Sequence, residues 1–184
     1  MAHQLTTSYL KDSFNLFRYY KRLADNAMAQ TSDQGLLAIL DPESNSIATI
    51  VKHLAGNMRS RWTNFLTSDG EKPDRNRDGE FETPPATREE LTAMWEGGWK
   101  CLFDTLATLT DEDLGRTITI RGEPHSVMQA ISRHLGHCAY HVGQIVYLAK
   151  HSAGSNWKAL TVPRGQSAEF TARLAAARAP KQGA

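Results

Sequence analysis

Residues 126–151 read SVMQAISRHLGHCAYHVGQIVYLAKH. The stretch opens on Ser126-Val127-Met128-Gln129, a capping-box pattern in which a hydroxyl and a side-chain amide satisfy each other's free backbone N–H groups at a helix start. Ile131, Cys138, Ile145 and Ala149 then recur on one face at helical spacing, and Gly154 follows where such a helix can end. The reading is one long helix to about His151, with a single apolar stripe that must be covered by other helices.

The chain on either side supplies them. From Leu5 to Gln30, Leu10, Phe14, Phe17, Tyr20, Ala24 and Ala27 recur at three or four and predict a first helix. A connector from Gln34 to Leu40 leads to Asp41-Pro42-Glu43, where an Asp cap, a Pro at the first turn and an acid at the positive end of the dipole predict the start of a second helix. That helix runs to about Thr67 along the stripe Ile47, Ile50, Val51, Leu54, Met58, Trp62 and Phe65. Ser68 to Ala86, with three prolines and two glycines, is a long loop of a length that is usually functional or mobile. Thr87-Arg88-Glu89-Glu90 is a second capping box, opening a third helix to about Thr108. Thr117 to Arg121 alternates in β-branched fashion up to Gly122 and allows a short hairpin or extended connector, and a last short helix over 167–179 is expected on the outside. The fold class that follows is all-α: one four-helix bundle domain over 1–184, with a long loop between the second and third helices and a short C-terminal helix.

Composition agrees with a globular chain. Of 184 residues, 40% are hydrophobic and 22% charged, enough for one core and short for two domains. Lys and Arg number 21 against 20 Asp and Glu, a formal charge of +1, so no bulk field favours nucleic acid or an anionic membrane. The two cysteines, Cys101 and Cys138, sit in apolar helical patterns and do not suggest a disulfide framework. Neither a signal-peptide pattern near Met1 nor a long apolar run is present, and the expected location is cytoplasmic.

Chemistry concentrates on the helix quoted first. His134, His137 and His141 fall within a sector of roughly 60° at about 100° per residue, beside the apolar stripe. An i, i+4 histidine pair brings two imidazoles to one side, where neutral imidazole suits zinc, nickel, copper or iron(II). Spacing alone leaves a packing role equally open for the pair. A third ligand must come from elsewhere, and His53 is the candidate, although its angle puts it on the flank of its own stripe, where a hydrogen-bonded histidine at the core edge is the ordinary finding.

The segment His137-Cys138-Ala139-Tyr140-His141-Val142-Gly143-Gln144-Ile145, preceded by His134 and matched with His53, resembles the DinB-like (DinB/YfiT-like) superfamily of four-helix-bundle metal proteins. Asp69-Gly70-Glu71-Lys72 and Arg75 to Phe81 in the loop, with Trp157-Lys158 and Pro163 to Ser167 near the end, make the chain most similar to a bacterial family without an assigned activity. The resemblance covers nearly the whole chain. It implies one divalent metal ion (zinc, nickel, iron or manganese) held by His53, His137 and His141, with His134 and Gln144 supporting the ligands, in a bundle that is commonly dimeric. Gly136 and Gly143, seven apart and away from the histidines, could then admit a close helix neighbour. Related members include thiol-dependent transferases and isomerases that use bacillithiol or mycothiol, which implies a low-molecular-weight thiol as possible cosubstrate.

Three neutral histidines leave open coordination positions, the arrangement of a catalytic rather than a closed structural site. Two function classes stand on this: a metal-dependent enzyme acting on a small molecule, of thiol-dependent transferase or hydrolase type, and a non-catalytic metal-binding or stress-related bundle protein. A plain helical module with core histidines is the third. Cys138 follows His137 where a metalloprotease HExxH motif has Glu, so that motif is absent. Arg59 and Arg61 near the end of the second helix, with Arg75 and Arg77 in the loop, could clamp an anionic substrate, since guanidinium grips carboxylate or phosphate as a fork. Cys138 and Cys101 read as small buried hydrophobes, and Trp62, Trp95, Trp99 and Phe103 as core.

Overall fold

Short hydroxyl side chains decide where this chain turns helical. In the computed structural model, which describes residues 5–178, Ser8, Ser32, Ser46, Thr87 and Ser126 each accept a hydrogen bond from the backbone N–H three residues on, at 3.1–3.2 Å. They open α1 (Tyr9–Met28), α2 (Asp33–Leu37), α3 (Ile47–Trp62), α4 (Arg88–Ala107) and α5 (Val127–Ala153). Each such cap contributes about 1 kcal/mol by satisfying an N–H that the helix cannot. At Ser126 the box is complete, because Ser126 N–H donates back to Gln129 Oε1 at 2.8 Å. At Thr87 it is half made: Glu90 reaches one residue further and accepts from Ala86 N–H.

Two boundaries differ from the sequence reading. Asp41 does not open the second long helix; its carboxylate accepts from Glu43 N–H and Ser44 Oγ–H, closing a local turn, and α3 starts only after Ser46. The helix ends at Trp62 rather than Thr67, since Asn64 takes a left-handed φ of 49°. The connector before it contains the short α2. The last helix, α6 (Ser167–Arg178), lies outermost, with only Phe170 half-buried up to residue 177; the expected end at Ala179 falls outside the described residues, as does His3.

Of the four long helices, α3 lies along α4 and α1 along α5, while α3 also meets α5 and α1 meets α4. This closes a four-helix bundle, and the fold is mainly α. Phe17, Leu54, Met58, Trp62, Trp95, Trp99, Leu102, Ile131 and Cys138 are buried inside it. The aromatic part is continuous: Trp99 packs edge-on to Trp95 at 5.3 Å and stacks on Phe103 at 5.5 Å. Burial pushes the Cys138 thiol well above its usual range, so it is not poised as a nucleophile, and Cys101 is half-buried rather than fully buried. No helix of the described residues is long and apolar enough to cross a membrane.

Between α4 and α5 runs the only β-structure among the described residues. It is an antiparallel hairpin, β1 (Thr117–Ile120) with β2 (Glu123–Ser126), closed by Arg121 and Gly122 at φ 57° and 75°. Non-glycine residues rarely adopt such a φ, and Asp69 holds this turn in place. Its carboxylate accepts from the backbone N–H groups of Arg121 and Gly122, each at 2.8 Å. Burial raises the Asp69 pKa, but the hydrogen bonds from the Glu71, Gly122 and Arg121 backbones outweigh it and take it down to about 2. The long loop is thereby fastened at one end, with Gly70 N–H donating to Thr119 O at 2.8 Å. Further along, Lys52 of α3 donates to the carbonyls of Gly79 and Thr83. A segment that composition alone could leave mobile is stapled down one side of α3.

Candidate metal centre

His53 comes from α3, and His137 and His141 stand one turn apart on α5. One ring nitrogen from each lies within 4.8 Å of the other two. The closest pair is His53 Nε2 and His137 Nε2 at 3.1 Å. Two histidines bound tetrahedrally at zinc distances hold their nitrogens about 3.3 Å apart, so one edge of the triangle already has the required length. The remaining edges need to shorten by at most about 1.5 Å for the same geometry.

The outer nitrogens decide where the lone pairs point. Glu80 Oε2 accepts from His53 Nδ1–H at 2.8 Å, and Gln144 Oε1 accepts from His141 Nδ1–H at 2.8 Å. A carboxylate has no proton to give, so His53 carries its own on Nδ1 and turns an Nε2 lone pair inward. His137 then donates from Nε2 into that lone pair, and its Nδ1 is buried without a partner. Burial lowers the His137 pKa to about 3, helped by His141, His53 and the charges of Arg61 and Arg75. Burial also lowers that of His141, against the Gln144 hydrogen bond. Both are neutral near pH 7, the state a metal ligand requires. The donor set thus fits a divalent cation taking the place of one shared proton.

Behind His53 stands a small ionic lattice that sequence reading missed. Glu80 is 6% exposed, and besides His53 it accepts from Arg75 Nε and Nη2, each at 2.8 Å. Arg75 also donates to Glu71 at 3.0 Å. Burial raises the Glu80 pKa, but His53 and Arg75 outweigh it, and its carboxyl lies below the usual range. Room for this carboxylate exists because residue 56 is glycine: a Cβ there would come within 2.8 Å of Glu80 Cδ. Phe81 closes the same flank, its ring 4.7 Å from that of His53. His53 is therefore buried, at 4% exposure, rather than on an open flank. The stripe angle was sound; the loop that covers it lies outside the helix pattern.

A cavity of about 380 Å³ opens in front of the three histidines. Among the residues expected to hold substrate, Arg75 and Arg77 line it. Arg59 does not: it is exposed, beside Gly97 of α4. Arg61, expected with it and two residues on, points the opposite way at about 100° per residue and does line the cavity. Of the two residues expected to support the ligands, Gln144 touches His141. His134 does not touch a ligand nitrogen; it is buried between Phe17 and Trp62, with ring centroids at 5.6 and 5.3 Å, and neither of its nitrogens has a partner. Burial, then His137 and Arg61, keeps its pKa well below the ordinary value.

The model of a protein family described as "Protein of unknown function (DUF1572)" matches residues 4–166, a span that includes the histidines, the loop and the hairpin. No curated protein matches the chain.

Proposed function

The chain belongs to the DUF1572 family, a DinB-like family of proteins of unknown function, and from that premise we propose that it is a metal-dependent enzyme acting on a small molecule. His53, His137 and His141 would hold one divalent ion, zinc, nickel, iron or manganese, in the cavity. The observation that carries this reading is the triad itself. Three histidine nitrogens from two helices converge within 4.8 Å at the wall of an open cavity, and the outer hydrogen bonds of His53 and His141 turn their other ring nitrogens inward. Among the described residues no fourth His, Cys, Asp or Glu joins the cluster, which leaves coordination positions for a substrate and argues against a closed structural site. When bound, the ion supplies Lewis-acid chemistry at those positions. The chain's part is to orient the ligands through Glu80 and Gln144 and to keep His137 and His141 unprotonated by burial.

A transferase using a low-molecular-weight thiol and a hydrolase both fit this arrangement, and no buried cysteine of the chain supplies the thiol. A cytoplasmic homodimer is part of the same proposal. The test begins with metal content per chain, measured by elemental analysis on untagged protein beside His53→Ala and His137→Ala. About one ion per chain, lost in both variants, supports the centre, and a screen for metal-dependent consumption of thiols and ester or amide substrates follows. Folded wild type that takes up none of the four metals would end the proposal.

A further inference from the structure

Beyond the histidines the cavity is lined by arginine: Arg61, Arg75, Arg77, Arg121 and Arg133, with no carboxylate on its wall. Three of these are answered from behind. Arg75 is gripped by Glu71 and Glu80, Arg121 Nε lies 3.5 Å from Glu71, and Arg77 lies 3.9 Å from Asp78. Arg61 and Arg133 have no carboxylate within 4.0 Å among the described residues. Arg133, on the exposed side of α5, meets among the described residues only His125 Nε2, at 3.4 Å.

Arg61 is the telling one. Its residue is 6% exposed and its Nε has no hydrogen-bond partner. The Nε–H is thus out of water with nothing to bond, while the rest of the guanidinium faces the cavity with no carboxylate within 4.0 Å among the described residues, and the nearby Arg133 adds repulsion. Burial, then Arg133, lowers its pKa only to about 10, so it keeps its charge at neutral pH. Nor is it free to swing to solvent: its stem runs over Gly70, where a Cβ would stand 3.0 Å from Arg61 Cδ. The backbone there is tied to β1 through Thr119. Beside it, buried Asn57 Oδ1 also lacks a partner and lines the same cavity. An unpaired buried cation, a second cation across the cavity and a spare acceptor are what remains when a ligand with an oxyanion and a donor group is taken away.

We infer that Arg61 and Arg133 form an oxyanion subsite, so that the small molecule bound beside the histidine triad carries a carboxylate or a phosphate. Two guanidinium forks on α3 and α5 grip the anion, and Asn57 accepts a hydrogen bond from an N–H or O–H of the same molecule. The proposal specifies the substrate class of the cavity read above as a metalloenzyme site, but the subsite itself requires no metal.

That independence sets the experiment. Inorganic phosphate and acetate are titrated calorimetrically, at constant ionic strength, into the full chain after chelation of metal, and acetate also into zinc-treated protein. Wild type is compared with Arg133→Met and Arg61→Met. The expected result is saturable binding of at least one anion that weakens about tenfold or more in each variant, the loss expected for a charge-assisted hydrogen-bonded contact. Relative strength of the two anions tells carboxylate from phosphate. Thermal unfolding gives a second readout: the bound anion raises the wild-type midpoint and leaves that of Arg61→Met unmoved. No saturable binding of either anion, or binding unchanged in Arg133→Met, overturns the subsite. Arg133→Met keeps the test valid should Arg61→Met not fold. Metal uptake without anion binding would defeat this inference alone; anion binding without uptake of any of the four metals would defeat only the metal centre.

Discussion

Replacing Glu80 by Gln alters one oxygen and leaves volume unchanged, yet it should disturb the proposed metal centre from outside it. Glu80 accepts three hydrogen bonds, one from His53 Nδ1 and two from Arg75. A glutamine offers one acceptor oxygen and an NH₂, so in either orientation a donor faces a donor. Facing His53, the amide drives the imidazole proton from Nδ1 to Nε2, where the inward lone pair should be. Outer-shell partners of metal-bound histidine typically govern 10- to 100-fold in affinity, or about 1.4–2.7 kcal/mol. Stability falls as well. Breaking a buried ion pair costs about 3–5 kcal/mol; Arg75 keeps Glu71 at 3.0 Å, which reduces the expected loss to about 2 kcal/mol. Competition with a chromophoric zinc chelator gives the affinity, and denaturant unfolding of metal-free protein gives the stability. Glu71→Gln is the control, since Glu71 touches Arg75 but not His53: it should lower stability without changing affinity. Folded Glu80→Gln that binds zinc as tightly as wild type would refute the need for a full carboxylate behind His53.

Gly56→Ala should act on the same contact from the other side, because the new methyl collides with the Glu80 carboxylate; zinc affinity falls about tenfold despite a helix-propensity gain of about 1 kcal/mol, and unchanged affinity would show that Glu80 can relax. His134, His137 and His141 all have folded pKa values below 6.5, so below that pH the unfolded chain binds more protons and stability drops by up to about 1.4 kcal/mol per pH unit for each histidine. His134→Phe removes one of these and both unsatisfied nitrogens, so the metal-free variant should melt higher at pH 5 than wild type and show a shallower acid slope; a lower midpoint would mean that His134 has a polar partner. On the outer face of α5, Gly136, Tyr140, Gly143 and Tyr147 share one stripe, with the tyrosines 64% and 69% exposed. If the proposed homodimer uses it, light scattering should give twice the chain mass for wild type and the monomer mass for Tyr147→Glu, and a wild-type monomer would exclude the dimer.

The elements that stand on local signals were legible. Caps at Thr87 and Ser126 placed α4 and α5, and the stripes of α1 and α3 identified which faces meet. Where two local signals compete, the outcome depends on what each side chain does with its own neighbours. The sequence reading starts the second long helix at Asp41, whereas the structure caps it at Ser46. Asp41 consumes its acceptors in a turn with Glu43 and Ser44, whereas Ser46 offers its oxygen to Thr49 N–H, so the helix begins five residues later than the first candidate. Similarly, Asn64 ends α3 by taking a left-handed backbone, a conformation that asparagine tolerates but does not announce.

The centre shows a sharper division. His137 and His141 were legible because their spacing on one helix is itself the geometry. His53 could be paired with them only by resemblance, since its own angle spoke for an edge position. What makes that edge an interior is Glu80, 27 residues away in a loop with no periodicity to read. The single trace of it in α3 is Gly56, a residue without a side chain one turn beyond a histidine, on a helix otherwise filled with large apolar groups. Arg59 and Arg61 differ by one step of the same logic: composition nominates both, and only the rotation of the helix, which the loop and hairpin then cover on one side, separates the solvated charge from the buried one. In this chain the loop between α3 and α4 converts a helix edge into an enclosed site, and the information that it does so lies in contacts between distant segments rather than in the pattern of any one of them.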